Sequence, residues 1–163
     1  MMQMVHSRFN ALLSACVLSL IATAGWSQSI TWLGILPGYD FSHATGVSAD
    51  GRVVVGFAHN SATSQDRAFR WENGVMQDLG TLPGYNRSVA YGVSADGRVV
   101  VGWSYNASGY GRAFRWENGA MQDLGTLGVN WSVAFGVSAD GSVVVGWAEN
   151  AAWQRRADRK SVV

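Results

Sequence analysis

Short apolar runs alternate with polar turn dipeptides along most of this chain. Asp96-Gly97 separates SVAYGVSA from RVVVGWSY, and Asn118-Gly119 separates GRAFRWE from AMQDLGTL. Both dipeptides favour tight two-residue hairpins, because glycine accepts a positive φ freely and Asn and Asp accept it better than other residues. The flanking runs are rich in Val, Phe, Trp and Tyr and only six to eight residues long, which is typical of strands. The pattern therefore predicts antiparallel β structure after the N-terminal segment.

The same motifs recur in the same order along the chain. The segment GVSADGRVVVG occurs three times, the third time with Ser142 in place of the arginine, at 46–56, 92–102 and 136–146. RAFRWENG occurs twice, and each copy is followed after one residue by MQDLGTL. The period of 44 to 46 residues indicates a repeat architecture, in which a single repeat cannot bury its own apolar face. We expect a β-repeat domain over residues 25–163, with repeats at about 37–82, 83–127 and 128–163.

Each repeat is predicted to form four antiparallel strands, with a longer polar loop such as 106–109 between the second and third strands. The second strand is apolar on both faces, so both faces need cover, and sheets stacked face to face provide it. Glycines stand in mid-strand at Gly56, Gly102 and Gly146, where a neighbouring strand or ring is expected to approach closely. The fold class is therefore all-β, with tandem four-stranded units of about 45 residues, β-propeller-like but incomplete (open or truncated).

The repeat pattern is incomplete at both ends. Trp32–Leu36 (WLGIL) matches the fourth-strand motif DLGTL, whereas in the third repeat Asp158 and Lys160 replace the Phe and Trp of RAFRW. A propeller usually closes with about 4 to 8 blades, so this chain cannot close an ordinary ring alone. An open stack, an assembly of several copies and a truncated piece of a longer array are the alternatives, and the degenerate tail favours truncation. Uncapped repeat edges would promote self-association.

The first residues have the composition of a secretion signal. His6 and Arg8 precede an apolar run that ends in Ala22-Thr23-Ala24, a small-x-small cleavage pattern. We predict a signal peptide at 1–24 and a secreted or cell-surface protein without a transmembrane span in the mature chain. LSAC at Cys16 resembles a lipoprotein box, but the apolar run continues beyond it, which favours a cysteine inside the signal.

The spaced motifs LGTLPGY, GVSADGxVVVG, RAFRWENG and MQDLGTL resemble the HAF-type extracellular repeat over about Thr31 to Arg156. Arginine stands at Arg67 and Arg112 where that family often has the histidine of His-Ala-Phe. The resemblance implies a bacterial secreted or surface protein with a propeller-like fold. It implies no enzymatic activity and no catalytic residues.

The sequence offers little chemistry of its own. Only His43 and His59 remain after signal removal, and both are interpreted as surface loop residues. No cluster with metal-ligand spacing is present, so no catalytic residue, cofactor or metal is predicted. The formal net charge of +1 argues against a nucleic-acid partner.

Aromatic residues at predicted turns are the candidate ligand contacts, because a planar ring can stack on a sugar or an apolar side chain. Padding of the repeat edges is the alternative. The leading hypothesis is a non-enzymatic interaction module with a protein or glycan partner. A carbohydrate-active hydrolase using acids from separate blades, and a truncated remnant of a longer surface or autotransporter protein, are the alternatives. The candidate aromatics are Tyr39, Tyr85, Tyr110 and Trp131.

Overall fold

The computed structural model describes residues 29–161. The predicted signal peptide at 1–24 and Cys16 lie outside the described residues. Within 29–161 the chain forms eleven strands and no helix, which confirms the all-β prediction. Accordingly, this part of the chain has no helix of the length and hydropathy needed to cross a membrane.

The strands fall into successive antiparallel sheets, which we call the first, second and third blades. The first blade has the order β1-β2-β3-β4, the second β5-β6-β7-β8, and the third β9-β10-β11. In the described chain a parallel pairing of Gly111 with Trp131 joins the second and third blades, and an isolated parallel bridge pairs Leu127, after the second blade, with Asn150 of the third. The strands are β1 (Phe41–Val47), β2 (Val53–Asn60), β3 (Gln65–Glu72), β4 (Val75–Asp78), β5 (Arg87–Val93), β6 (Val100–Tyr105), β7 (Gly111–Glu117), β8 (Ala120–Asp123), β9 (Gly128–Val137), β10 (Val143–Asn150) and β11 (Arg155–Ser161).

The hairpin between the third and fourth strands follows its sequence signal. Asn118 and Gly119 have φ values of 52° and 83°, as a type I′ turn requires at both central positions. Asn73 and Gly74 repeat this geometry in the first blade, with φ values of 51° and 83°. The prediction of a two-residue Asn-Gly turn is confirmed at both places.

The Asp-Gly hairpin differs from its prediction. Gly97 has a φ of 74°, but Asp96 does not have a positive φ, so the turn is wider than a two-residue type I′ turn. The Ser94 hydroxyl donates to Asp96 Oδ1 at 2.6 Å and accepts the amide of Val99 at 3.0 Å. Asp96 Oδ1 also accepts the amide of Arg98 at 3.1 Å. The side chains of Ser94 and Asp96 thus accept hydrogen bonds from the amides of Arg98 and Val99 within the turn.

The blades stack face to face and bury their apolar side chains between them. The interface of the first and second blades joins Val55 and Leu79 to Ala90 and Phe114. The next interface joins Val101 to Ala134 and Val144, among others. Stacking therefore covers both faces of the second blade, as the apolar second strand predicted.

Mid-strand glycines mark a close approach inside each blade. A Cβ on Gly56 would stand 1.9 Å from the carbonyl oxygen of His43. The register of β1 and β2 shifts between Ala44 and Gly46, so one extra residue of β1 bulges here and brings its backbone towards the glycine. The predicted packing role of the glycines is confirmed, and the neighbour is the adjacent strand.

The ends of the stack depart from the repeat. Trp32–Leu36, predicted as a fourth strand, forms no ladder, because no third strand lies beside it in the described chain. In β11, Asp158 pairs with Gly146, as Phe114 pairs with Gly102 in the second blade. The polar replacements thus stand at the predicted core positions.

Candidate functional site

Three aromatic rings surround one cleft between the second and third blades. Tyr110 precedes β7, Trp131 lies in β9, and Trp153 belongs to the loop between β10 and β11. Together with short loop residues they line a cleft of about 450 Å³. Trp153 is 74% exposed, so its ring is available to a ligand. The lining is Ser108, Gly109, Tyr110, Gly128, Val129, Asn130, Trp131 and Trp153.

Two asparagines fix the loops that carry the outer rings. Asn106 Oδ1 accepts the amide of Tyr110 at 3.2 Å. Asn150 Oδ1 accepts the amide of Gln154 at 3.0 Å, and the amide of Trp153 donates to the Asn150 carbonyl at 2.9 Å. An asparagine in this position organises the backbone two to four residues ahead of it. The cleft walls are therefore preorganised by local hydrogen bonds.

The third ring is held by aromatic packing. The ring centroids of Trp131 and Trp103 are 5.5 Å apart at an interplanar angle of 47°, and Trp103 stacks on Tyr105 at 4.4 Å and 15°. A Cβ on Gly111 would stand 2.9 Å from the Trp103 ring, so the glycine makes room for that ring. This row of three rings supports the inner wall of the cleft.

The polar groups of the cleft are neutral. The Arg112 guanidinium donates to Asn130 Oδ1 at 3.0 Å and lies 3.5 Å from the Asp123 carboxylate. The first contact orients the Asn130 amide, and the second balances the arginine charge. The cleft thus combines aromatic faces with an oriented amide and a hydroxyl from Ser108, a composition suited to uncharged ligands.

The four aromatic residues singled out in the sequence separate into two pairs. Tyr39 packs against the cluster of Leu36 and Phe69, and Tyr85 packs against the interface of the first and second blades. Both are partly buried and pad the blades. Tyr110 and Trp131 meet in the cleft, although Trp131 lies in a strand and not in the predicted turn.

Trp153 is the cleft residue that the sequence analysis missed. It follows Asn150 in the same kind of loop that Asn106 organises in the second repeat. The sequence signal shared by the two loops is an aromatic residue three or four positions after an asparagine, Tyr110 after Asn106 in the second repeat and Trp153 after Asn150 in the third.

A second polar cluster links the first and second blades. His59 Nδ1 lies 2.6 Å from Asp66 Oδ1, and the Tyr105 hydroxyl donates to the other oxygen of Asp66. His59 lies in β2 and His43 in β1, so the interpretation of both as loop residues is wrong. Burial, followed by the hydrogen bond to Asp66, raises the pKa of Tyr105. A phenol held protonated is a poor nucleophile, and the cluster acts as an interblade link.

Acidic and metal-binding chemistry is sparse in the described part of the chain. The aromatic cleft is lined by no carboxylate, and a smaller cavity between the second and third blades is lined by Asp158 alone among the acids. Within residues 29–161 no group of three or more His, Cys, Asp or Glu side chains is placed to hold a metal ion.

No protein-family model and no curated protein matches this chain. Among solved structures, it is similar to the crystal structure of TolB from Acinetobacter baumannii, with a TM-score of 0.55 and 16% sequence identity. The match covers 77% of this chain and 30% of the TolB chain. TolB contains a β-propeller domain, and this likeness supports an incomplete propeller-like fold. At this identity the similarity concerns the fold alone.

Proposed function

We propose that this protein is a non-enzymatic, secreted or cell-surface module of the HAF-repeat type that binds carbohydrate in the cleft of Tyr110, Trp131 and Trp153. The observation that carries the proposal is the convergence of three rings from two blades around one open cleft. The signal peptide predicted from the sequence and the repeat motifs support the proposed location.

Carbohydrate fits this cleft because a sugar presents an apolar C–H face and a rim of hydroxyl groups. The exposed ring of Trp153 offers a flat surface on which the apolar C–H face of a sugar can stack. The side-chain amide of Asn130, oriented by Arg112, offers N–H donors to the sugar hydroxyl groups. The lining has no carboxylate that could pair with a cation, so neutral oligosaccharides fit the cleft better than cationic ligands.

A hydrolase on the same scaffold would need two carboxyl groups flanking the scissile bond. The aromatic cleft is lined by none. The single Asp158 of the smaller cavity has Lys160 beside it in the lining and no second acid. Binding without turnover is therefore the function that the geometry favours.

The test is a titration of the purified protein with a panel of neutral oligosaccharides, followed by calorimetry or by tryptophan fluorescence. Trp153→Ala should weaken the binding of any hit about five- to thirtyfold, because one stacked ring contributes on the order of 1 to 2 kcal/mol. Trp32→Ala is the matched control, since Trp32 is also largely exposed, at 78%, but does not line the cleft.

The alternatives give different results in the same assay. Failure of the whole panel to bind, or equal losses in the two tryptophan variants, would refute the cleft as a carbohydrate site. Release of reducing ends from a bound oligosaccharide would show that the protein is an enzyme.

A further inference from the structure

The stack exposes one blade surface at each end within the described chain. We call the first-blade surface that carries Ala44 the front face and the third-blade surface that carries Val145 the back face. Ala44 is exposed, whereas its equivalents Ala90 and Ala134 are buried against the preceding blade. Val145 is 46% exposed, whereas its equivalent Val101 is fully buried against the following blade. Each end presents one half of an interface that the chain completes twice internally.

A backbone ladder shows how the two halves would meet. The Ala49 amide donates to the Ala95 carbonyl at 3.2 Å, and the Ala95 amide donates to the Ala139 carbonyl at 3.0 Å. Among the described residues, the Ala49 carbonyl accepts no such bond and the Ala139 amide donates none. The front face therefore has the acceptor and the back face the donor of a third rung.

The front face also carries a strand of the kind that the third blade lacks among the described residues. The Ser42 hydroxyl donates to the Gly34 carbonyl at 2.9 Å, as Ser132 does to Gly125 at 2.6 Å. Residues 32–36 are thus already seated on the first blade as the fourth strand of a blade that would precede it. In the second blade, the fourth-strand Leu124 amide donates to the Ala113 carbonyl at 2.9 Å.

Leu33 is the equivalent of Leu124, and Ala157 is the equivalent of Ala113. Ala157 lies in β11, which has no fourth-strand partner in the described chain. Docking would let the Leu33 amide donate to the Ala157 carbonyl. It would also bring the Ala157 amide to the Ser42 hydroxyl, as the Ala113 amide meets Ser132 at 2.9 Å.

The polar residues Asp158 and Lys160 of β11 do not lie on the back face. Lys160 Nζ donates to the Leu124 carbonyl at 2.6 Å, so Lys160 points towards the second blade, and Asp158 and Lys160 line the same cavity between the second and third blades. Side chains alternate along a strand, which leaves Ala157 and Arg159 on the opposite, open side. Arg159 is the equivalent of Arg70, whose Nε donates to a turn carbonyl of the following blade at 2.8 Å.

Shape complementarity between the two faces is also present. A Cβ on Gly97 would stand 2.4 Å from Val53 of the preceding blade, and one on Gly141 would stand 2.6 Å from Val99. A Cβ on Gly51, the equivalent glycine of the front face, has nothing within 4 Å. Val143, the equivalent of Val53, lies on the back face to fill that space.

We propose that a second copy of this chain docks head to tail, with its front face on the back face of the first and its residues 32–36 completing the third blade. The occupant is a second copy because each face supplies what the other lacks: valines, Ala157 and an amide on one side, and Ala44, Gly51, a carbonyl and a fourth strand on the other. The contact is heterologous, so each end of the pair remains able to bind a further copy.

The test measures mass by sedimentation velocity over a range of protein concentrations. The unmodified protein should form dimers and longer oligomers as concentration rises. Ala44→Arg should block the front face and Val145→Arg the back face, so each variant alone should stay monomeric. Mixed together, the two variants should form a dimer that does not grow, because each retains the face that the other has lost.

Controls separate docking from unfolding. Val75→Arg introduces the same side chain at an exposed valine in β4, away from both faces, and should leave association unchanged. The melting curves of both face variants, measured at a concentration where the unmodified protein is monomeric, should match the unmodified curve, since the altered side chains are exposed. A protein that stays monomeric at millimolar concentration, a Val145→Arg variant that still dimerises alone, or a mixture that stays monomeric would overturn the proposal.

Discussion

The carbonyl oxygen of Val89 lies 2.0 Å from the position that a Cβ on Gly102 would occupy. The second strand of the blade therefore has no space for a side chain at this residue. The same approach recurs at Gly146, where the oxygen of Val133 lies at 1.9 Å. One backbone bulge per blade thus depends on one glycine.

Gly102→Ala should lower the free energy of unfolding by about 3 kcal/mol, because the neighbour is backbone and cannot move away cheaply. Gly136→Ala is the control, since its Cβ would meet only the end of the Val145 side chain at 3.3 Å, and it should change stability by less than about 0.5 kcal/mol. Urea unfolding of both variants measures the difference. Equal effects would show that the bulge adapts.

A buried serine fastens the second blade to the first, and another fastens the third blade to the second. Ser132 Oγ accepts the Ala113 amide at 2.9 Å and donates to the Gly125 carbonyl at 2.6 Å. Ser132→Ala should cost about 2 kcal/mol, because both backbone groups lose their partner in a buried setting. Ser42→Ala removes only the bond to Gly34 and should cost less. A loss at Ser42 as large as that at Ser132 in urea unfolding would argue against this account.

Stability should fall in acid because of the Ser-x-Asp-Gly turns. The hydrogen bond from Ser138, followed by bonds from Ser142, lowers the pKa of Asp140 from 3.8 to about 2. The pKa values of Asp50 and Asp96 are also lowered, first by Ser48 and Ser94. A carboxyl group whose pKa is lower in the folded than in the unfolded state stabilises the fold at pH values above the unfolded-state pKa. That stabilisation is lost as the pH falls through the folded-state pKa.

Urea unfolding between pH 5 and pH 2 measures this loss, and for Asp140 the window extends from 3.8 down to about 2. Asp140→Asn should give a shallower decline over that window, because the amide does not titrate. The same slope with and without Asp140 would contradict the assignment.

Asp158 occupies the position of Phe114 in the preceding blade, beside a cavity between the second and third blades. Asp158→Phe should therefore raise the free energy of unfolding by about 1 kcal/mol through burial of apolar surface. Ala157→Phe, which adds the same ring on the open side of β11, should give no gain in the monomer. A fall in stability for Asp158→Phe would show that the third blade has closed around the smaller side chain.

Much of the fold could be predicted from the sequence because it is local. The Asn-Gly turns at Asn73 and Asn118, the strand lengths and the glycine spacing depend on residues a few positions apart, and repetition made each signal visible more than once. Aligning the repeats was enough to predict that Asp158 and Lys160 replace a core phenylalanine and a core tryptophan in the third repeat. The Asp-Gly turn was predicted too tight, because Ser94 and Asp96 form side-chain bonds that a dipeptide rule does not include.

The sequence by itself determined the repeat, the strand order within each blade and the need for blades to cover one another. Only the tertiary structure decided which loops meet, that Tyr39 and Tyr85 pad the blades, and that Trp153 joins Tyr110 and Trp131 around one cleft. The physical reason is distance along the chain. Hairpins are set by neighbouring residues, whereas the cleft depends on how successive sheets rotate and stack, and that arrangement brings together side chains from separate repeats.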